Sequence, residues 1–260
     1  MAQLTYPPVL CYHRVGGPLE LGVTRVGRSV FARQMTALAK SGWRALSLDA
    51  FTRTTHDVRR TFLLTFDDGY ASLAQHAYPV LADLGFTATT FLITDYVGRT
   101  NTWDIRYTWH RLAHLSWSEV EQWQARGFEF GSHGATHSRL TWLNAAALQD
   151  ELHRSRKVLL ARLGPGNARA IAYPFGAVNW KIVAQARAAG YELGFAGARG
   201  DVDALSRSRH LVYAWDVADV PLGLHEGAFG RIGRFVAHVA NRCAIGTSVM
   251  KAMLSPPQGS

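Results

Sequence analysis

The strongest constraint on the fold is an alternation that runs through most of the chain. Short apolar runs ending in polar residues take turns with longer amphipathic stretches. "VLCYH" (9–13), "ALSL", "TFLLTF" (61–66), "TATTFLI" (87–93), "FEFGSH" (128–133), "AIAYPFG", "YELGFA" and "HLVYAWDV" read as strands, rich in β-branched and aromatic residues. Between them, "FARQMTALAKSGW" (31–43), "SLAQHAYPVLADLGF" with Pro79 as a kink, and "NAAALQDELHRSRKVLLARLG" and "NWKIVAQARAAG" read as helices. Ser116 and Glu119 have capping-box spacing for another helix through about Arg126. Repeated β-α alternation calls for parallel strands, because parallel neighbours need a crossover. Roughly seven or eight strands favour a distorted (β/α) barrel over an open sheet. The expectation is one α/β domain over residues 1–260, with a C-terminal helical tail from about 228. Chemistry in such barrels gathers at the C-terminal ends of the strands. His13, Asp67, Asp68, His133 and Pro174 all lie at or just past such ends.

Composition narrows the chemistry. The chain has two cysteines, Cys11 and Cys243, which excludes a disulfide framework and a cysteine-based zinc site. The start lacks a basic segment followed by a long apolar one, and no run of 18 apolar residues occurs, so a cytoplasmic protein is expected. The net charge of +9 favours contact with something anionic: an acidic or phosphate-bearing glycan, or the inner face of a membrane carrying a lipid-linked glycan. The basic residues are scattered and no nucleic-acid motif is present, so no nucleic-acid partner is expected and much of this charge is a solvated surface.

"LLTFDDGY" (63–70) ends an apolar strand on two adjacent carboxylates, Asp67 and Asp68. Alone, Asp-Asp-Gly is an ordinary turn with Gly69 at positive φ. "SHGATH" alone is two histidines, His133 and His137, four residues apart. Together, each after its own strand, they supply the ligands of a divalent metal. One Asp and two His leave coordination positions open, the pattern of a catalytic rather than a structural site. The other Asp can then act as general base toward a metal-activated water. Spacing does not decide which Asp holds which role.

"TFDDGY", "SHGATH" and "YPFG" resemble the first three motifs of the polysaccharide deacetylases, carbohydrate esterase family 4, over about residues 9–215. The resemblance implies a distorted barrel, a divalent metal and removal of an N-acetyl group from an amino sugar in a glycan. Zinc is the first choice of metal, with cobalt, nickel or manganese also compatible. Carried over by position, Asp67 matches the base, and Asp68, His133 and His137 match the metal ligands. The amide of Tyr70, or one in the Pro174–Phe175 stretch, would stabilise the oxyanion. A ring at Tyr173 or Phe175 could pack on the sugar or its acetyl methyl.

Two departures stand out. The family has an Arg two residues before the Pro of its third motif, where this chain has Ala172, so a guanidinium orienting the base is missing or comes from elsewhere. The acid that protonates the leaving amine has two main candidates. "YHRV" resembles the exopolysaccharide-type branch and offers His13, which follows a strand directly and is preferred. "LGLHEG" offers His225, and His210 is a weaker third. "TDYVGRTNTWD" also resembles that branch, with Trp103 for stacking and Asp104 for hydroxyls, or with Trp103 as a packing anchor. His56, His76, His110, His114 and His153 are assigned ordinary solvated or capping roles. Two rival functions remain: hydrolysis of another non-peptide C–N bond, and sugar binding without turnover.

Overall fold

A computed structural model describes residues 6–18, 23–54, 59–102, 111–198, 200, 203–221 and 224. In chain order the elements are β1 (Val9–Tyr12), β2 (Arg14–Val15), β3 (Arg25–Val26), α1 (Arg28–Lys40), β4 (Arg44–Ala45), α2 (Leu48–Arg53), β5 (Thr61–Phe66), α3 (Ser72–His76), α4 (Tyr78–Asp83), β6 (Thr89–Leu92), α5 (Trp117–Gln124), β7 (Glu129–Ser132), α6 (Ala145–Leu163), β8 (Ala170–Ala172), α7 (Trp180–Ala188), β9 (Leu193–Phe195) and β10 (His210–Leu211). Seven strands run parallel in the order β10-β1-β5-β6-β7-β8-β9, and β4 pairs with the start of β5. The sheet curls into a distorted barrel. Its edges approach through one segment: Arg207 bridges Phe195 of β9, while His210 and Leu211 pair with Leu10 and Cys11 of β1. No described helix is long and apolar enough to cross a membrane.

Strand periodicity decides what lines the interior. Side chains alternate across a strand, so Val9–Cys11–His13 and Leu63–Thr65–Asp67 each share one face. Val9 and Leu63 pack with Phe91, Ala170, Ala172, Leu193 and Phe195 in an inner layer closed at its base by Leu48 and Phe51 of α2. Leu10, Tyr12, Leu64 and Phe66 face outward, under Phe31 and Met35 of α1 and Tyr78 and Leu81 of α4. The interior is tight: a Cβ on Gly131 would lie 2.7 Å from the Phe91 ring. The inner face is thus apolar at the base and turns polar at the C-terminal end.

Three expectations are corrected. "ALSL" forms only β4, because Ser47 accepts a hydrogen bond from Ala50 N and opens α2 at Leu48. The helix containing Pro79 is two helices, α3 and α4, meeting at Ala77, with Pro79 in the first turn of α4, where its missing N–H is tolerated. The last strand shrinks to His210–Leu211, since the chain leaves β1 after Val212 N bonds Cys11 O and turns to Val23 O at Ala214. The tail from about 228 lies outside the described residues.

Candidate active site

The barrel mouth gathers most of the singled-out residues. Asp67 and Asp68 follow β5, and Asp67 N donates to Tyr12 O. Asp68 has φ 69 and Gly69 φ 67, a left-handed pair that turns the chain so that neighbouring carboxylates face different partners. Asp68 Oδ1 lies 3.5 Å from His133 Nε2 and 3.5 Å from His137 Nε2. His137 also has a positive φ, 63. All three side chains are buried.

This group fits a divalent cation. His133 Nδ1 lies 2.7 Å from Ala172 O. A carbonyl can only accept, so Nδ1 carries the hydrogen and Nε2 presents a lone pair to the mouth. Burial lowers the His133 pKa and keeps the ring neutral. A lone pair then faces a carboxylate oxygen at 3.5 Å with no hydrogen between them, an arrangement that a cation at the centre makes favourable. Donors from Asp, His and His suit zinc and its neighbours and leave positions open.

Asp67 is held differently. The buried Arg209 guanidinium forks onto it, Nη1 to Oδ1 and Nη2 to Oδ2, each at 2.7 Å. Arg209 Nε donates to Ala196 O at 2.9 Å, fixing the fork's plane. Burial is the largest single influence and pushes the Asp67 carboxyl up, but the Arg209 charge, the His133 ring and the Arg209 hydrogen bonds together outweigh it and leave the group well below the usual carboxylate range. The guanidinium absent at Ala172 is thus supplied from the segment that closes the barrel. Its own neighbourhood, "SRSRH", carries no signal of this.

His13 follows β1, half-buried, with a ring nitrogen within 4.8 Å of both Asp67's carboxylate and Cys11 Sγ. Burial drives its pKa to about 4, against the pull of Asp67. His210 sits lower, in β10 opposite Leu10. His225, Trp103 and Asp104 lie outside the described residues.

The substrate-side expectations divide. Tyr173 is fully buried and its hydroxyl donates to Leu205 O at 2.7 Å, so it is a core residue with no face for a sugar. Phe175, at φ 61, packs its ring 4.7 Å from that of His137. In that turn Pro174 has no N–H, and the Gly176 and Ala177 amides already bond Tyr173 O and Pro174 O, which leaves Phe175 N–H as the donor to consider for an oxyanion. Gly176 is obligatory there, because a Cβ would lie 2.6 Å from the Gly197 backbone. Tyr70 is buried, with its ring stacked on His114 at 5.0 Å and its hydroxyl 3.2 Å from Asn101 Nδ2. An open cleft of about 510 Å³, lined by Asp95, Tyr96, Arg99, Thr100, Thr102 and Thr136, runs beside the histidine loop.

Two supports were not anticipated. His114, expected to be solvated or capping, is buried, and its Nδ1 donates to Asp68 O at 2.8 Å. Burial lowers its pKa to about 4, against that hydrogen bond. Glu151 of α6, also buried, accepts from Thr136 N at 2.7 Å and fixes the loop between the two histidines.

Comparisons with known proteins bear on the family and the fold. The polysaccharide deacetylase family model matches residues 55–194. YxkH of Bacillus subtilis, which carries the family's name, is 30% identical over 227 residues, 86% of this chain and 74% of YxkH. The poly-β-1,6-N-acetyl-D-glucosamine N-deacetylase of Staphylococcus aureus is 28% identical over 65% of this chain, which spans 60% of that enzyme's length. The structure of IcaB from Ammonifex degensii superposes with a TM-score of 0.66 at 26% identity, over 80% of this chain and 92% of that one. The chain belongs to the polysaccharide deacetylase family, enzymes that hydrolyse carbohydrate N-acetyl groups, and stands with its exopolysaccharide-type members.

Proposed function

We propose that the protein is a metal-dependent N-deacetylase acting on N-acetylated amino sugars of a poly- or oligosaccharide and releasing acetate. The observation that carries this reading is the pairing of two differently held carboxylates at one barrel mouth, Asp68 against two histidines and Asp67 in the Arg209 fork. Asp68, His133 and His137 would hold the ion, zinc first among the candidates, which supplies Lewis acidity toward water and the acetamide oxygen. Asp67 accepts the proton of the attacking water. Its depressed pKa makes it a weak base, suited to an acidified water and kept ionised at any working pH. The Tyr70 amide or the Phe175 N–H is the backbone donor for the developing oxyanion. His13, a neutral ring beside Asp67, would relay the proton that Asp67 has taken from the water to the departing amine, which leaves both groups as they began.

The net charge of +9 supports an anionic or lipid-linked glycan as substrate, which salt-dependent binding would test. The main test is acetate release from a panel of N-acetylated glycans that includes poly-β-1,6-N-acetylglucosamine. Chelation should abolish release and zinc restore it, and Asp67→Asn should lower kcat roughly 10²–10⁴-fold. Full activity of chelated protein or of Asp67→Asn would overturn the mechanism.

A further inference from the structure

Among the described residues, four non-glycine positions have positive φ: Arg60, Asp68, His137 and Phe175. Three of the four lie at the mouth. Two belong to the proposed ligand set, while Phe175 belongs to a different structure. It begins a row of contacts that leads outward from the site. The Phe175 ring lies 4.7 Å from that of His137, and Arg139 Cζ sits 5.7 Å from the Phe175 ring centroid and 5.2 Å from that of Trp142. At the end of the row the Trp142 indole is 51% exposed.

We propose that Trp142 is the floor of a second carbohydrate subsite, which takes a further pyranose ring of the same N-acetylated glycan. This rests on the deacetylase reading and extends it to how the enzyme distinguishes chain from monomer. The indole is fixed. Trp142 N bonds Arg139 O at 3.0 Å, and Leu140 in the same turn is buried in the core. The half-buried Arg139 guanidinium holds two rings through cation–π contacts, so the indole does not have to be ordered when a ligand arrives. A rigid aromatic face with a polar edge matches the C–H face of a pyranose, whose hydroxyls remain at the rim. The turn follows β7, as do His133 and His137, so it lies on the catalytic face of the barrel.

Trp180 provides the contrast. It is more exposed, at 75%, and its described ring contact is to the adjacent Lys181 at 5.6 Å, outside this row. The test compares Trp142→Ala, Trp142→Phe and Trp180→Ala on a β-1,6-linked N-acetylglucosamine pentamer and on N-acetylglucosamine itself. Trp142→Ala should raise KM for the pentamer roughly tenfold at unchanged kcat and leave the monosaccharide unaffected. Trp142→Phe should fall between, and Trp180→Ala should match the parent. Calorimetry with the pentamer and metal-free protein should show the same ranking in Kd. Parent-like Trp142→Ala, equal losses on both substrates, an equal loss in Trp180→Ala, or no pentamer binding by the parent would each overturn the subsite. If the parent binds the pentamer but releases no acetate, the deacetylase reading fails while the ranking in Kd still decides the subsite.

Discussion

Asp67 and Asp68 are neighbours in sequence and are held by opposite means. Asp68 sits in a half of the mouth supported through the backbone at several points: His114 donates to the Asp68 carbonyl, Ala172 O orients His133, and Glu151 receives the Thr136 amide. The Asp67 carboxylate is held chiefly by one side chain, the Arg209 fork, which comes from 142 residues away on the segment that closes the barrel, with only a weak Cys11 Sγ contact at 3.6 Å beside it. Support in the ligand half is distributed, so each loss should cost part of the site. Support in the base half is concentrated, so one loss should cost all of it.

The largest effect is therefore expected at Arg209. Arg209→Met keeps the stem and removes the fork, leaving the buried Asp67 charge without its partner. That should destabilise the protein by about 3–5 kcal/mol and lower kcat by about 10²–10⁴. Arg209→Lys should rescue little, since an ammonium cannot engage both oxygens in a plane. The double variant Arg209→Met, Asp67→Asn carries no unpaired charge and should recover much of the stability with none of the activity. Zinc affinity should stay within a few-fold of the parent throughout. A large loss of zinc affinity in Arg209→Met, measured by competition with a chromophoric chelator, would show that the two halves are not separable.

The next effect is expected at His114. His114→Leu removes the donor to Asp68 O and should weaken zinc binding about tenfold or more, while His114→Asn, which can still donate, should recover part of it. The same residue predicts an acid sensitivity of the metal-free protein. Its folded pKa is about 4 against an ordinary 6.5, so it favours the fold above pH 6.5, and this contribution is lost as pH falls from 6.5 toward 4. His13 and His133 shift in the same direction. Denaturant titrations should show stability falling by up to about 1.4 kcal/mol per pH unit for each such histidine. His114→Leu should flatten the slope, and an unchanged slope would mean that His114 is not buried neutral.

The same contrast accounts for what the sequence revealed. The strands of the barrel and the Asp-Asp and His-x-x-x-His pairs are local patterns, and the period-two rule places their side chains without knowledge of any partner. That Ala172 lacks the family's Arg was visible, but its replacement was not. Arg209 reaches Asp67 only because Arg207–Leu211 spans both sheet edges, a long-range closure that no local pattern encodes. His114 escaped for a related reason. Its segment becomes ordered by pairing with the Asp68 turn, Leu115 N to Gly69 O and Ala71 N to Ala113 O, and shows no periodicity of its own. Tyr173 was misjudged because it opens a motif, whereas the parity of β8 sends its ring into the core.

The smallest effect is expected at Ala172, where the family's arginine would stand. If the backbone is what supports the ligand half, the Ala172 methyl contributes packing against the inner layer and nothing to His133. Ala172→Gly keeps the carbonyl that fixes the imidazole and removes only the methyl. Stability should fall by about 1 kcal/mol, from lost burial and added backbone freedom. Zinc affinity and kcat should both stay within about twofold of the parent. A kcat loss comparable to that of Arg209→Met would mean that β8 also positions the base, and the division between the two halves would fail at Ala172.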